Sequence, residues 1–150
     1  ALGSNLGDRE GYLRLALEGL GNVVAVSDVY ETEPIGGPDA QGAYLNMVAV
    51  VDTSLDPFAF LRRCQRVEAH ALRQRLVRWG PRTLDVDILF FDDMRLDTPE
   101  LTVPHPRVVE RRFVLAPLAQ VAPDRVPENW DEVLPATVVT SRGPLPEQPA

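Results

Sequence analysis

Two aspartates stand two residues apart inside an apolar stretch of the chain. The stretch is "WGPRTLDVDILFF", residues 79–91, and the acids are Asp85 and Asp87. The apolar run predicts a strand, in which successive side chains point to opposite faces. Both carboxylates then lie on one face, roughly 7 Å apart, where they can converge on one metal ion or straddle a pair. The residues between and beside them form the core face: Leu84, Val86 and Ile88.

Magnesium is the metal that this pattern favours. Mg²⁺ takes one or two carboxylates and completes its shell with water and substrate phosphates. Zinc prefers His or Cys, and the chain has only His70, His105 and Cys64 to offer. From the spacing alone, a solvent-facing polar strand surface is an equally good interpretation of Asp85 and Asp87.

Seven arginines lie between residues 62 and 82, where Glu68 is the only acid. Guanidinium groups bind phosphate oxygens two at a time, so this segment suits a small polyanion. Arg62 and Arg63 fit a solvated helix face. The arginines that flank the acidic strand are the better candidates for phosphate: Arg73, Arg75 and Arg82.

The composition excludes several classes of protein. The net charge is −7, which argues against general nucleic-acid binding. The chain has no lysine, so a P-loop nucleotide fold and Schiff-base chemistry are excluded. Carboxylates for Mg²⁺ and arginines for phosphate, without a P-loop, predict phosphoryl transfer, in which catalysis consists mostly of positioning and charge neutralisation.

Hydrophobic periodicity predicts the elements that carry these residues. A helix over 8–20, capped by Asn5 and Asp8, has the apolar stripe Leu13, Ala16, Leu17 and Leu20. A second helix starts at Pro57, is capped by Asp56 and has the stripe Leu61, Cys64, Val67, Glu68 and Ala71. A short helix is expected over 108–118. Strands are expected from Val23 to Tyr30, over 44–53 and from Thr83, with a long loop between the first two.

The order β-α-β, β-α-β predicts an α+β fold, a ferredoxin-like sandwich with an antiparallel sheet and helices packed on one face of it. We expect one domain over residues 1–140, whose first strand is truncated, and a disordered tail over 141–150. There is no apolar run of eighteen residues, so no membrane span is expected. The single cysteine, Cys64, is expected to be a buried thiol in a cytoplasmic protein.

Several motifs together resemble one family. They are the opening "LGSNLGD", the loop "YETEPIG" with "YLN" after it, and "RWGPRTLDVDIL" followed by "LTVPHP". In this order, over about residues 2–124, they are similar to 6-hydroxymethyl-7,8-dihydropterin pyrophosphokinase of the folate pathway. The resemblance implies that pyrophosphate moves from ATP to the 6-hydroxymethyl group of the pterin and that AMP leaves. It also implies two Mg²⁺ ions, and we expect a monomer.

The resemblance implies roles around ATP. Asp85 and Asp87 match the metal-binding aspartates, and Asp85 is expected to help take the proton from the pterin hydroxyl. Arg82 would contact the ATP phosphates and the transferring group, and Arg73 and Arg75 match arginines of a mobile loop. The remaining nucleotide positions are Gln65, Glu68, His105 and Arg111, with Leu61, Ile88 and Thr102 along the adenine.

The resemblance also implies a pterin site. The ring would lie between Tyr44 and Phe113, with Trp79 closing over it. Asn46 would read its hydrogen-bonding edge, and Gly3 would permit close approach. The backbone from Thr32 through Glu33 to Ile35 would contact the same edge. Taken singly, Tyr44 and Phe113 are more typical of core aromatics, and His105 is more typical of an ordinary loop residue.

Two positions depart from the family pattern. Leu72 stands where the family often has glycine before the first loop arginine. Pro106 replaces a residue that can be aromatic in relatives, so any contact there would be through the backbone or packing. Neither position touches the aspartate pair.

Two other classes of function fit parts of the sequence. Ferredoxin-like domains often bind small ligands without turnover, and such a module would also have a pterin or nucleotide pocket. A purely structural interaction domain leaves the paired aspartates without a role. The two aspartates together with Arg73 and Arg82 favour the enzyme, because a sensor does not need the full set.

Overall fold

The computed structural model describes residues 1–32, 43–72, 84–133 and 139–147. The strands in these ranges are β1 (Leu2–Ser4), β2 (Asn22–Val26), β3 (Tyr30–Thr32), β4 (Tyr44–Met47), β5 (Ala49–Asp52), β6 (Asp85–Val86), β7 (Leu96–Asp97), β8 (Thr102–Val103) and β9 (Val139–Ser141). The helices are α1 (Arg9–Gly19), α2 (Pro57–Leu72), α3 (Arg112–Val121) and α4 (Trp130–Val133), with 3₁₀ turns at Val108–Glu110 and Pro123–Arg125.

A five-stranded antiparallel sheet is the centre of the fold. Its strand order is β6-β1-β4-β3-β9. Strands β2 and β5 pair as an antiparallel ribbon, and β7 pairs with β8. The two long strands expected from the sequence are thus each divided in two. At the break, Ser27 N donates to Val48 O and Val48 N donates to Ser27 Oγ, so a serine side chain replaces part of the ladder.

Helix α1 begins and ends as the sequence predicts. Asp8 is its N-cap and accepts a hydrogen bond from Gly11 N at 3.1 Å. The expected cap from Asn5 is not formed. Leu20 is the C-cap, and its carbonyl accepts from Arg63 Nη1 at 3.4 Å, where a cation complements the helix dipole. Of the two arginines predicted on a solvated face, Arg63 is therefore half-buried and Arg62 is exposed.

Helix α2 also starts where predicted, since Asp56 Oδ1 accepts from Ala59 N at 2.9 Å. Its buried side chains are Phe60, Cys64, Val67 and Ala71. Burial raises the pKa of the Cys64 thiol to about 11. The thiol therefore stays protonated at neutral pH, which confirms the prediction of an inert buried cysteine.

Apolar clusters lie on both faces of the sheet. One cluster joins Leu2, Met47 and Val86 of the sheet to buried residues of α1 and α2. The other contains Val48 with Leu115 and Leu118 of α3. The ferredoxin-like α+β sandwich is confirmed, but α3 covers the face opposite α1 and α2. The apolar stripe of α3 predicts a helix without showing which face that helix covers.

The segment from Val139 to Glu147 runs against the body of the protein. Strand β9 pairs with β3, and Val29 exchanges backbone hydrogen bonds of 2.8 Å with Arg142 and Gly143. Leu145 packs against the first cluster. Residues 141–147 of the expected tail are among the described residues and make these contacts. An open edge of β3 and one apolar side chain gain a partner there, which outweighs the Gly and Pro content of the segment.

Within the described ranges, no helix has the length and apolar character needed to cross a membrane.

Candidate active site

Four residues form a row across neighbouring strands and define the centre of the candidate site. Gly3 of β1 lies opposite Asp85 on one side and Asn46 on the other, and Asn46 lies opposite Tyr30. Directly opposite residues of antiparallel strands share a face of the sheet. A carboxylate and an amide therefore flank a glycine, which adds no side chain between them.

Asn46 is buried and held in a fixed orientation. Its relative exposure is 8%, and Nδ2 donates to Thr32 Oγ1 at 3.0 Å. A Cβ atom at Gly3 would lie 3.1 Å from Asn46 Oδ1. Glycine at position 3 thus leaves room for the amide of Asn46, and close approach of the pterin to Gly3 stays a prediction.

The alternation predicted for the acidic strand is present. Leu84, Val86 and Ile88 are buried, whereas Asp85 is half-buried and Asp87 is exposed. Regular pairing covers only Asp85–Val86, and Asp87 N continues it by donating to Ala1 O at 2.9 Å.

The donor chemistry of this pair fits magnesium. Among the described residues, no group of three or more His, Cys, Asp or Glu side chains could hold a metal ion. Two carboxylates alone match Mg²⁺, which keeps several waters and takes phosphate oxygens from a nucleotide.

Three of the predicted nucleotide residues lie along one side of α2. Leu61, Gln65 and Glu68 are spaced i, i+4 and i+7, which places them on a single helical stripe beside the buried one. Glu68 Oε2 accepts from the backbone N–H of Val86 at 3.3 Å. The stripe therefore borders the outer edge of β6, next to both aspartates. This contact also explains an acid at a near-core position.

His105 is half-buried and lies close enough to Asp87 for the two groups to interact electrostatically. Its backbone N donates to Leu89 O at 2.8 Å, and its Nδ1 accepts from Arg107 N at 3.1 Å. Burial lowers the pKa of His105 below its ordinary value of 6.5, although Asp87 opposes this shift. The imidazole is therefore neutral at pH 7 and carries its proton on Nε2, as a donor suited to a phosphate or ribose oxygen.

The lowered pKa of His105 predicts a pH dependence of stability. As pH falls through 6.5, the unfolded chain takes up the proton before the folded chain does, so the free energy of unfolding decreases. His105→Gln should remove this part of the decrease between pH 7 and 5. The check is urea unfolding at several pH values, with an NMR titration of His105 assigned by a His70→Gln variant. A His105 midpoint above 6.5 would contradict the prediction.

Arg111 and Phe113 join the nucleotide residues to the pterin residues. Arg111 is the N-cap residue of α3, and its guanidinium carbon lies 5.6 Å from the centroid of the Phe113 ring. The Arg111 charge contributes to lowering the pKa of His105, so the two groups are neighbours. Phe113 and Tyr44 are both half-buried, at the start of α3 and of β4. Neither aromatic ring is a fully buried core side chain.

The three residues expected along the adenine lie near one cluster. Ile88 is buried in the first cluster, and Leu61 is partly buried and packs against the same cluster. Thr102 is half-buried in β8, between Leu101 and Val103 of the same cluster. Their apolar surroundings suit a planar base, and their contact with adenine stays a prediction.

Six predicted site residues lie outside the described residues: Glu33, Ile35, Arg73, Arg75, Trp79 and Arg82.

A groove of about 350 Å³ lies at the other end of β1, between residues 48–53 and 86–92. Of the predicted site residues, only Asp87 and Ile88 line it. The groove is therefore distinct from the row formed by Asp85, Gly3 and Asn46.

Asn5 is a polar residue whose importance the sequence did not show. It is 4% exposed, and neither atom of its amide has a hydrogen-bond partner among the described residues. It follows Gly3 by two residues, next to the strand that carries Tyr44. An unsatisfied buried amide is costly in a native protein. The only indication in the sequence that Asn5 matters is its position inside the motif "LGSNLGD". The local pattern there predicts a helix cap instead.

Comparisons with known proteins show which family this chain resembles. The family model described as 7,8-dihydro-6-hydroxymethylpterin-pyrophosphokinase (HPPK) matches residues 1–123. A protein of Bacillus subtilis named 2-amino-4-hydroxy-6-hydroxymethyldihydropteridine pyrophosphokinase is 52% identical over 126 residues, 81% of this chain and 75% of that protein. A protein of the same name from Pseudomonas aeruginosa is 45% identical over 135 residues, 86% of this chain and 83% of that one.

The fold and the match together define a ferredoxin-like enzyme that transfers a phosphate-containing group. The chain belongs to the 7,8-dihydro-6-hydroxymethylpterin-pyrophosphokinase family.

A relative from Lactococcus lactis, named bifunctional protein FolKE, is 38% identical over 126 residues. The match spans 81% of this chain and 36% of that protein. The domain thus also occurs as one part of a larger chain.

Proposed function

We propose that the row Asp85–Gly3–Asn46, with the residues around it, is where this enzyme of folate biosynthesis transfers pyrophosphate from ATP to 6-hydroxymethyl-7,8-dihydropterin and releases AMP. The observation that carries the assignment is the register of three neighbouring strands. It places the Asp85 carboxylate and the Asn46 amide on opposite sides of Gly3, which supports a metal-binding role for the first and a pterin-binding role for the second.

The pterin end of the site is built on β3, β4 and α3. Asn46 donates one amide N–H to Thr32 Oγ1. Its Oδ1 and its second N–H are proposed to bind the ligand. An aminopyrimidinone edge presents a complementary set of donors and acceptors. Tyr44 and Phe113 supply the two aromatic faces, and Trp79 is proposed to close over the ring.

The nucleotide end is built on α2, β6 and the segment around His105. Gln65 and Glu68 border β6, and the neutral His105 offers Nε2–H beside Asp87. Arg111 contributes a charge that bridges this end to Phe113. Leu61, Ile88 and Thr102 are proposed to contact the adenine. Arg73, Arg75 and Arg82 are proposed to bind the phosphates.

The transfer itself is a substitution at phosphorus. The hydroxymethyl oxygen of the pterin attacks the β-phosphorus of ATP, and Asp85 helps to take its proton. The bond between the β-phosphorus and the oxygen that bridges the α and β phosphates breaks, and that oxygen leaves with AMP. The β and γ phosphates remain together on the pterin. Arg82 stabilises the charge that develops on the transferring group.

Asp85 and Asp87 would hold the magnesium that the family implies, and we propose two ions. When bound, Mg²⁺ supplies charge neutralisation on the phosphate oxygens and helps to orient them. The chain contributes the carboxylate spacing, about 7 Å between alternate residues of a strand. Asp85 is half-buried and lies in the row with Gly3, whereas Asp87 is exposed and lies near His105 on the nucleotide side.

The proposed role of Asn46 predicts a selective loss of pterin binding. Asn46→Ala removes the groups that read the pterin edge, so the Kd for the pterin should rise about 100-fold. The Kd for a non-hydrolysable ATP analogue should change less than about threefold, since ATP binds across Gly3 on the other side. Isothermal titration of each ligand measures both values.

Asn22→Ala is the matched control, because Asn22 is an exposed strand asparagine on β2. It should leave both dissociation constants unchanged. Equal weakening of pterin and nucleotide by Asn46→Ala would contradict the assignment of Asn46. So would an unchanged pterin affinity.

A binding module without turnover is the less favoured function. Such a module needs a ligand pocket but not Asp85 and Asp87 on the face that carries Asn46. The family is one of enzymes, which favours catalysis. We also propose that the enzyme acts as a monomer and that it works in the cytoplasm. The free, buried Cys64 supports a reducing compartment.

A further inference from the structure

Arg9 is a cation at a helix position that does not favour one. It is the first residue of α1, where the helix dipole favours an acid. Its guanidinium instead reaches across 34 positions of the sequence, and Nη1 donates to the carbonyl oxygen of Ala43 at 2.8 Å. The bond is partly buried. The helix dipole does not favour a cation here, so the hydrogen bond to Ala43 is the favourable interaction that the structure shows for the Arg9 side chain.

Ala43 is the residue before Tyr44, where β4 begins. In the pairing of β4 with β3, Tyr44 lies opposite Thr32, and Asn46, two residues further on, lies opposite Tyr30. Arg9 therefore fixes the backbone immediately ahead of the residues proposed to stack on the pterin and to read its edge. The turn that carries Arg9 is itself fixed, because Asp8 caps α1 and Arg9 N donates to Gly7 O at 2.9 Å.

We propose that Arg9 is a positioning residue for the pterin site, which acts by anchoring the start of β4 to the N-terminus of α1. The inference rests on the proposed function, since it takes Tyr44 as the stacking residue. Arg9 itself does not touch the pterin. Its effect is transmitted through the Ala43 carbonyl to the place of the Tyr44 ring.

The proposal predicts a change in pterin affinity with little change in turnover. Arg9→Met keeps the length and apolar stem of the side chain but loses the donor. We expect the pterin Kd, measured by titration with the pterin alone, to rise about five- to tenfold, from the loss of one charge-assisted hydrogen bond. The kcat at saturating pterin and the Kd of the ATP analogue should stay within about twofold. Arg9→Lys retains one donor and should restore part of the affinity.

The same helix supplies a matched control. Arg14 Nη1 also donates to a backbone carbonyl at 2.8 Å, but its acceptor is Pro146 and the contact is exposed. Arg14→Met should leave the pterin Kd unchanged. If it raised the Kd as much as Arg9→Met does, a general weakening of α1 would account for the effect and the proposal would be overturned.

A double-mutant cycle with Tyr44→Ala separates the role of Arg9 from the pterin site itself. Tyr44→Ala alone should raise the pterin Kd, and Arg9→Met should add little on that background, because both act on one ring. If Tyr44→Ala has no effect, the proposed pterin site is wrong. If Tyr44→Ala weakens binding but Arg9→Met does not, only the role of Arg9 is wrong. Full additivity of the two would also overturn it.

Discussion

Asp85→Asn and Asp87→Asn are each expected to lower kcat by about three orders of magnitude. Each substitution keeps the shape of the side chain and removes the charge that holds Mg²⁺ against the phosphates. Asp85 is half-buried and Asp87 is exposed, and both lie on the face opposite the first apolar cluster, so the fold should remain intact. The corresponding alanine variants should lose as much activity. AMP formation at saturating substrates measures the loss, and circular dichroism melts measure the fold.

Asp52→Asn serves as the control for this pair. Asp52 is an exposed carboxylate at the end of β5, which pairs with β2 and not with the strands that carry Gly3 and Asn46, and its variant should keep full activity. A titration with Mg²⁺ adds a second readout, since both site variants should need more metal for half-maximal rate. Near-normal kcat in both site variants would rule out the metal role.

Arg82→Ala is expected to lower kcat by about 10³-fold while changing the Kd of the ATP analogue by less than about tenfold. Charge develops on the transferring group in the transition state, and a guanidinium placed there stabilises that state more than bound ATP. Arg82→Lys keeps the charge without the planar fork and should recover only part of the rate. Single-turnover kinetics and equilibrium titration separate the two effects.

Arg62→Ala is the matched control, because Arg62 is exposed on the solvated side of α2. It should change neither kcat nor the nucleotide Kd. If Arg82→Ala raised the nucleotide Kd and left kcat intact, Arg82 would be a binding residue and its proposed catalytic role would be wrong. Arg73 is expected to behave as Arg82 does, with a smaller effect on kcat.

Local patterns predict the elements that carry the site. Asp8 and Asp56 cap α1 and α2 because short polar side chains satisfy free N–H groups at a helix start. The strand period of two is enough to place Asp85 and Asp87 opposite the core face. These features depend on neighbours in the chain, so the sequence shows them directly.

Features that depend on distant contacts could not be predicted. The break at Ser27 requires a serine side chain to pair with Val48, 21 residues away. Placement of α3 on the second face depends on Val48 and Leu89, and neither has a periodic signal of its own. The contacts of residues 141–147 depend on the open edge of β3. In each case the tertiary partner, and not local propensity, decides the structure.

The site residues also divide into those that the local sequence indicates and those that depend on distant contacts. The aspartates and arginines stand out by type and spacing, whereas only the family resemblance points to Asn46, Tyr44 and Phe113. The register that puts Gly3 between Asp85 and Asn46 joins three segments far apart in the sequence. Arg9 gives no signal, because an arginine at the start of a helix is ordinary until its acceptor, Ala43, is known.

The most direct test of the central claim is ³¹P NMR of the purified protein with Mg²⁺, ATP and 6-hydroxymethyl-7,8-dihydropterin. We predict that AMP and a pterin diphosphate ester appear in equal amounts and only when the pterin is present. Formation of ADP, formation of AMP without the pterin, or no consumption of ATP would contradict pyrophosphate transfer at this site.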